Sequence, residues 1–412
     1  MNSNITYVLD VNNIYNFTNN EDYTEKKYNF NNVDYKIIKY SKEKLIYYKE
    51  NDNNKFVELS KFRSVFFKGD KLCAFSPPKS VDYDSFIDKH RDVSECWVED
   101  FIDGTMINLF YDTTNNDWEI TTKSTVGGNI MFFNNPNMQI KKTFRDMFFE
   151  TCNFNNFNIN SLPRTYSYTF IMQHPENRIV TPNEYPKIFL IKIYEISHIS
   201  DLKYKITEIN TFDFSNTPPY IFLNTGINLV CKYAINSYDE VKSYYENDGV
   251  PFYCVGAMIY NKNGDRTKIR NKNYEMVRKL RGNQPKLQYH YLCLKKENKI
   301  KEFLFYYPEH INDFKEFKTK MFYYTNNLYM KYIECFIKKV KPLKEYEFQY
   351  KNHLYKLHEK YKNELAVNNM KVDKKVVIDY INGLHPAQQM FVINYEDYNK
   401  NIESENDEEM QV

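Results

Sequence analysis

Nothing in this 412-residue chain reads as a membrane span, because no stretch reaches the roughly 18 uninterrupted apolar residues that a crossing helix needs. The first fifteen residues lack a basic patch followed by an apolar run, which argues against a secretory leader. Glycine is scarce, at 10 residues. The pair Gly127-Gly128 stands outside any GxxxxGK[ST] pattern, so a phosphate-cradling P-loop is excluded. No GxSxG elbow is present, which removes the common serine hydrolases. The seven cysteines are odd in number, widely spaced and without a CxxC, and the eight histidines do not cluster beside them. A disulfide framework and a zinc site are both disfavoured, and reduced thiols in a cytoplasmic setting are expected. The formal net charge of +2 gives the whole molecule no strong preference for a polyanion, so local runs must carry any such signal.

Against these absences stand 38 tyrosines and 31 phenylalanines, with lysine, asparagine and isoleucine also frequent. This is the imprint of an AT-rich genome, such as that of a large DNA virus, and is not itself a functional signal. A viral source would make the host cytoplasm the setting. At 42% hydrophobic, the chain has enough apolar residues to build cores. Its length points to two domains.

Residues 1–60 mix short apolar stretches with asparagine-rich breaks and suggest a β-rich extension. From there the pattern sharpens. Residues 62–67 and 72–75 flank Gly69-Asp70 and predict a hairpin. Residues 97–102 and 106–111 flank Asp103-Gly104 and predict a second, with a further strand at 118–122. A helix is expected near 140–150, and strands at 166–172 and 187–193. An Asn263-Gly264 turn joins strands at 252–260 and 266–270. Asn273 then suits a helix N-cap, and Gly282 suits the residue after that helix. Residues 287–306 read as a return to strand. Beyond 308 the apolar residues fall at helical spacing, as in Phe314, Phe317, Met321 and Leu328. The expected organisation is an extension over 1–60, an antiparallel core over 61–307, a helical domain over 308–398 and an acidic, disordered tail over 399–412.

Three ordered segments carry a resemblance. They are "FIDGTMINLFYD" (101–112) followed by "WEITTKST" (118–125), "YSYTFIMQHPENRIV" (166–180) followed by "KIFLIKIYEI" (187–196), and "GAMIYNKNGDRTKIRN" (256–271). Together, over roughly residues 60–300, they resemble the phage-type RNA ligases of the nucleotidyltransferase superfamily. The resemblance implies an α+β fold with an antiparallel-sheet nucleotidyltransferase core and an all-α C-terminal domain. It implies ATP and magnesium as cofactors, and nucleotide and RNA ends or single strands as partners. In that family a lysine attacks the α-phosphate of ATP and holds AMP as a phosphoramidate. The AMP passes to an RNA 5′-phosphate, and the RNA 3′-hydroxyl then displaces it. Such chemistry needs an amine of lowered pKa, a divalent ion and cations around the phosphates.

Set against that pattern, the sequence is lopsided. The nucleophile of the family's Lys-x-Asp-Gly motif falls at Phe101, and a phenyl ring cannot form a phosphoramidate. Asp103 and Gly104 remain, though two residues of this kind between strands also make a plain turn. Lys123 matches a basic position on the following strand. The family's glutamates fall at Ile171 and Val255, with Gln173 and His174 near the first. Arg178 keeps the family's arginine. The Lys-x-Lys pair becomes Lys268 and Arg270, and alternation on a strand sets Arg266 on the same face. Arg278, Lys279 and Arg281 extend the basic run, so residues 261–286 hold nine Lys or Arg against two acids. Asp103, Gly104, Lys123, Lys268 and Arg270 are therefore the candidate nucleotide and phosphate ligands, and Arg178, Arg266, Arg278, Lys279 and Arg281 the candidate RNA contacts. No protein metal ligand is assigned.

Phosphate-binding cations are kept while the nucleophile and two carboxylates are lost. This fits a ligase-like protein that binds nucleotide and RNA without adenylylating itself. Two alternatives stand beside it. One is an active ligase using a displaced lysine such as Lys68 or Lys79. The other is an interaction protein that retains only the fold.

Overall fold

The computed structural model describes residues 4–12, 20–131, 142–200, 203–212 and 219–395. The acidic tail expected from 399 onward lies outside the described residues. The chain divides into two compact units, the first ending at Arg281 and the second beginning at Gly282.

The first unit holds three sheets among its described residues. The largest orders β1 (Thr6–Asp10), β11 (Lys203–Ile209), β10 (Lys187–Ser200), β9 (Tyr166–Gln173), β7 (Thr105–Asp112) and β8 (Asp117–Thr121), and β12 (Asn228–Leu229) pairs with β10. The second orders β13 (Lys232–Ala234), β6 (Cys96–Asp100), β14 (Gly256–Asn261) and β15 (Arg266–Arg270). The third orders β2 (Tyr23–Phe30), β3 (Val33–Tyr40), β4 (Val65–Lys68) and β5 (Lys71–Phe75). Apart from the short β10–β12 contact, the ladders are antiparallel. The hairpins expected around Gly69-Asp70 and Asn263-Gly264 are both present.

Alternation decides which side chains meet which layer. On β9, Tyr168, Phe170 and Met172 bury fully against α4 (Phe144–Phe154), together with Ile107, Leu109, Ile120 and Leu190 from neighbouring strands. The helix expected near 140–150 runs over Phe144–Phe154, with Thr143 and Asp146 forming a reciprocal capping box. In the second sheet, Val98, Ala257, Ile259 and Ile269 bury against Phe86 of α3 (Tyr83–Lys89) and Tyr238 of α5 (Tyr238–Glu246). Trp97, Glu99 and Phe101, with Met258, Tyr260, Arg266, Lys268 and Arg270, therefore belong to the opposite face.

That face is tied to the largest sheet by buried charges. Lys192 on β10 lies 2.7 Å from Glu208 on β11 and 3.4 Å from Glu99 on β6. Glu99 also accepts from the Trp97 indole N–H at 2.9 Å.

Three sequence expectations are corrected. Residues 97–111 are not a hairpin. β6 and β7 belong to different sheets, and 101–104 is the crossover between them. An Asp-Gly step reads locally as a turn, but here it passes the chain from one layer to the next. Residues 287–306 are not strand. They form α7 (Leu287–Lys296) and α8 (Ile300–Tyr306), since Leu287, His290, Tyr291 and Leu294 bury at helical spacing. The residue capping α6 (Lys272–Arg281) is Asn271, not Asn273: its side-chain oxygen accepts the Asn273 N–H at 2.9 Å. Gly282 follows that helix with φ +63°, as expected of a residue past a helix end.

The second unit is helical among its described residues. After α7 and α8 come α9 (Ile311–Tyr332), α10 (Phe348–Lys360), α11 (Lys374–Gly383) and α12 (Pro386–Ile393). Asp373 caps α11 by accepting the Val376 N–H. No described helix is long and apolar enough to cross a membrane.

Candidate functional site

The crossover at 101–104 is held by one carboxylate. Asp103 is 6% exposed, and its Oδ2 accepts the N–H groups of Val180 (2.9 Å) and Thr181 (3.0 Å). Its Oδ1 accepts the Tyr274 hydroxyl of α6 at 2.8 Å, and its carbonyl accepts the Gln173 amide at 2.8 Å. Asp103 thus binds the crossover to three other segments. The Tyr274 phenol is pushed up by burial and by this carboxylate. Gly104 has φ +143°, and a Cβ there would sit 2.5 Å from the Met172 carbonyl oxygen. Only glycine fits that close approach. The Ile171 methyl, at the position of a family glutamate, would be 2.7 Å from the same Cβ.

Cations gather beside this crossover. Lys268 on β15 is half-buried, and its pKa is pushed down to about 8 by burial and then by Arg270, Lys79, Arg63 and Arg266. Lys79 is lowered by burial and by Arg63, Arg266, Lys49 and Arg270. Burial, then Arg266, brings the Arg63 guanidinium down to about 10. Lys123 is also brought to about 8, by desolvation and by Arg63, Lys39, Lys42 and Lys79. Solvent reaches much of the Lys123 side chain and screens those neighbours, so the half-buried Lys268 is the more strongly held in this state. Cations crowded this way, with cations leading the charges around each lysine, disfavour their own charged forms and make the surroundings attractive to an anion.

Arg270 completes it. Its terminal nitrogen meets both oxygens of Glu275 (2.9 and 3.1 Å), and its Nε is buried with no hydrogen-bond partner among the described residues. The guanidinium also lies 5.6 Å from the Phe101 ring. Glu275 holds Arg278 at 2.6 Å as well, so one carboxylate bridges two arginines.

The other expected residues divide. Arg266 does not line a surface. It is 8% exposed and donates to the carbonyls of Pro77 (3.0 Å) and Pro78 (2.9 Å), which positions the loop carrying Lys79. Lys123 lies in the turn after β8 rather than on a strand. The Arg178 Nε donates to the Val180 carbonyl at 3.1 Å. Arg281 is buried and Lys279 exposed, both on α6. His174 accepts the Glu176 N–H at 3.2 Å, and burial lowers its pKa. Val255 is buried and supplies no carboxylate. Of the two lysines considered as displaced nucleophiles, Lys68 is engaged by Asp112 and Thr114, whereas Lys79 belongs to the cation cluster.

Sequence reasoning missed Arg63, which precedes β4 outside any motif. A signal existed: only nine of the 56 basic residues are arginine. In so lysine-rich a chain, each arginine marks a position where a planar, permanently charged group is needed.

The donor set suits a multiply charged phosphate. It does not suit a magnesium ion held by protein alone, which would need oxygen ligands. Among the described residues no group of three or more His, Cys, Asp or Glu could hold a metal.

Comparison with known proteins gives a partial kinship. No family model matches the chain. An RNA ligase of Rhodothermus phage RM378 is 32% identical over 99 residues, which are 23% of this chain and 22% of that protein. The chain therefore matches less than a quarter of that relative's length. Among solved structures, a Naegleria gruberi RNA ligase mutant with ATP and Mn aligns over 52% of this chain and 59% of its own, at 10% identity and TM-score 0.35. An archaeal ATP-dependent RNA ligase aligns over 69% and 65%, at 12% identity and TM-score 0.37. A putative ATP-dependent DNA ligase from Aquifex aeolicus aligns over 82% and 77%, at 12% identity and TM-score 0.35. Scores of this size do not assign function. The chain is thus similar to a phage RNA ligase over that 99-residue segment.

Proposed function

We propose that this chain is an RNA-ligase-like protein that binds nucleotide and RNA phosphates in the cationic pocket beside the crossover, without forming an adduct at residue 101. The observation that carries this reading is the cluster of Arg63, Lys79, Lys123, Lys268 and Arg270, the last of them 5.6 Å from the Phe101 ring. Such a cluster disfavours the unliganded fold and favours an anion. The phenyl ring leaves the family's adenylylation step without its amine. The pocket supplies positioning and charge neutralisation for phosphate, the two things its residues are equipped to do.

Incubation with α-labelled ATP and magnesium, followed by a denaturing gel, tests the absence of an adduct. Filter binding of 5′-phosphorylated RNA across a salt series tests the binding. The expected result is no labelled band and an RNA affinity that falls steeply with salt and collapses in Lys268→Glu. Absence of RNA binding at low salt would overturn the reading.

One observation favours a second reading, an active ligase with a displaced nucleophile. Burial and neighbouring cations lower the pKa of Lys79 and Lys268, which raises the fraction of free amine at neutral pH. A labelled band mapping to either lysine would establish it.

A further inference from the structure

Away from the cationic pocket, the first unit holds two large aromatic side chains out in solvent in a fixed arrangement. Phe154, the last residue of α4, is 57% exposed and Tyr185, just before β10, is 48% exposed. Their rings stack at 6.2 Å between centroids with planes 23° apart. The Lys187 ammonium caps the Tyr185 ring at 4.5 Å. Two exposed rings contribute nothing to a core, yet the backbone beneath them is locked. The Asn155 amide donates to the carbonyls of Thr151 (2.7 Å) and Pro186 (3.2 Å), joining the helix end to the loop that bears Tyr185. The Asn155 carbonyl accepts the Gly226 N–H at 3.1 Å, an approach so close that a Cβ on Gly226 would lie 2.5 Å from that oxygen.

The location gives the pair a meaning. Lys187 pairs in register with Gln173, and Gln173 donates to the Asp103 carbonyl in the crossover. The stacked rings therefore stand at the end of the large sheet where the crossover enters it, with β9 between β10 and β7. We propose that Phe154, Tyr185 and Lys187 form a stacking platform for unpaired bases of a single-stranded RNA whose phosphate end lies in the cationic pocket. This rests on the function proposed above. Aromatic faces take any base, a cation over the ring favours the adjoining phosphate, and a pre-set geometry avoids the ordering cost of loose side chains. Glu184, next in sequence to Tyr185, is exposed.

The test uses the full chain and a 5′-phosphorylated single-stranded RNA of about ten nucleotides carrying 2-aminopurine, whose fluorescence is quenched on stacking. The expected result is quenching by the wild type and its loss in Tyr185→Ala. RNA affinity should fall about 5- to 100-fold in that variant. Tyr185→Phe should bind as the wild type does. Affinity for inorganic triphosphate should be unchanged in both. Phe154→Ala, at the exposed end of its helix, gives an independent reading should Tyr185→Ala misfold. Unchanged RNA affinity in both alanine variants overturns the platform, as does absence of RNA binding by the wild type. Triphosphate binding that persists in Lys268→Glu overturns the pocket instead, so the two failures are distinguishable. Unchanged RNA affinity together with a loss of self-association in Tyr185→Ala would assign the patch to a protein contact and likewise refute the platform.

Discussion

Replacing Lys268 with methionine is expected to strengthen the unliganded fold and weaken the site. The lysine's pKa is pushed from its ordinary 10.5 to about 8 by burial and by four nearby cations. Each pKa unit corresponds to about 1.4 kcal/mol. With solvent screening at the half-buried tip allowed for, charged Lys268 costs the fold about 2–3 kcal/mol at pH 7. Burial is the larger cause, and the Coulombic part from Arg270, whose charge Glu275 partly offsets, has an upper bound. Residues i and i+2 on a strand lie about 7 Å apart. One cation at that distance, in an effective dielectric of about 20, repels by about 2.4 kcal/mol. The sign follows from the lowered pKa. The penalty is full below pH 8 and fades as pH rises toward the unfolded value near 10.4, because the folded state then sheds its proton first. Methionine keeps most of the aliphatic stem and removes the charge. Thermal melts without ligand should place Lys268→Met above the wild type at pH 7, with the gap more than halved by about pH 9.5 and closed above about pH 10.4. Saturating triphosphate should reverse the order, because it stabilises the wild type more. A variant that melts below the wild type at pH 7 without ligand would refute the argument that these cations repel.

Four further outcomes follow from the geometry. Triphosphate affinity at constant ionic strength should fall between pH 7 and 9, as Lys268 and Lys123 lose their protons near 8; a flat profile would show that neither contacts the anion. Gly104→Ala forces a Cβ onto the Met172 carbonyl at positive φ and should cost 2 kcal/mol or more, to be read as a lowered melting temperature. Lys192→Met leaves Glu99 and Glu208 buried without their cation and should cost about 3–5 kcal/mol; a neutral result in denaturant would mean that water reaches the pair. Glu275→Gln frees Arg270 and Arg278 and should tighten triphosphate binding several-fold by calorimetry, whereas weaker binding would make Glu275 a necessary brace.

Local signals in this sequence were legible where a turn joins neighbours in one layer. The hairpins at Gly69-Asp70 and Asn263-Gly264 follow from turn chemistry alone. Asp103-Gly104 carries the same local chemistry yet joins two sheets, and what decides between the outcomes is a set of partners 70 or more residues away, such as Val180 and Tyr274. Helices α7 and α8 were misread because their tyrosines, phenylalanines and leucines also suit strands, and only the spacing of the buried ones distinguishes them. Lys268 and Arg270 were singled out by the Lys-x-Lys spacing of the resemblance, and strand alternation put them on one face with Arg266. Arg266, in the same alternation, turned out to be a buried strut, since its role depends on two proline carbonyls no pattern could place beside it. Arg63 and Lys79 flank the β4–β5 hairpin, far before Lys268 and Arg270 in the chain, and only the fold brings the charges of the two segments together.

The bridge that Glu275 makes between Arg270 and Arg278 has a consequence for selectivity. On the function proposed here, an incoming anion would be weighed against a carboxylate already seated on two guanidinium groups. A singly charged ion would gain little by displacing it, whereas a chain of phosphates would meet several cations at once. Glu275 would then act as a valency filter, set by one residue in the first turn of α6.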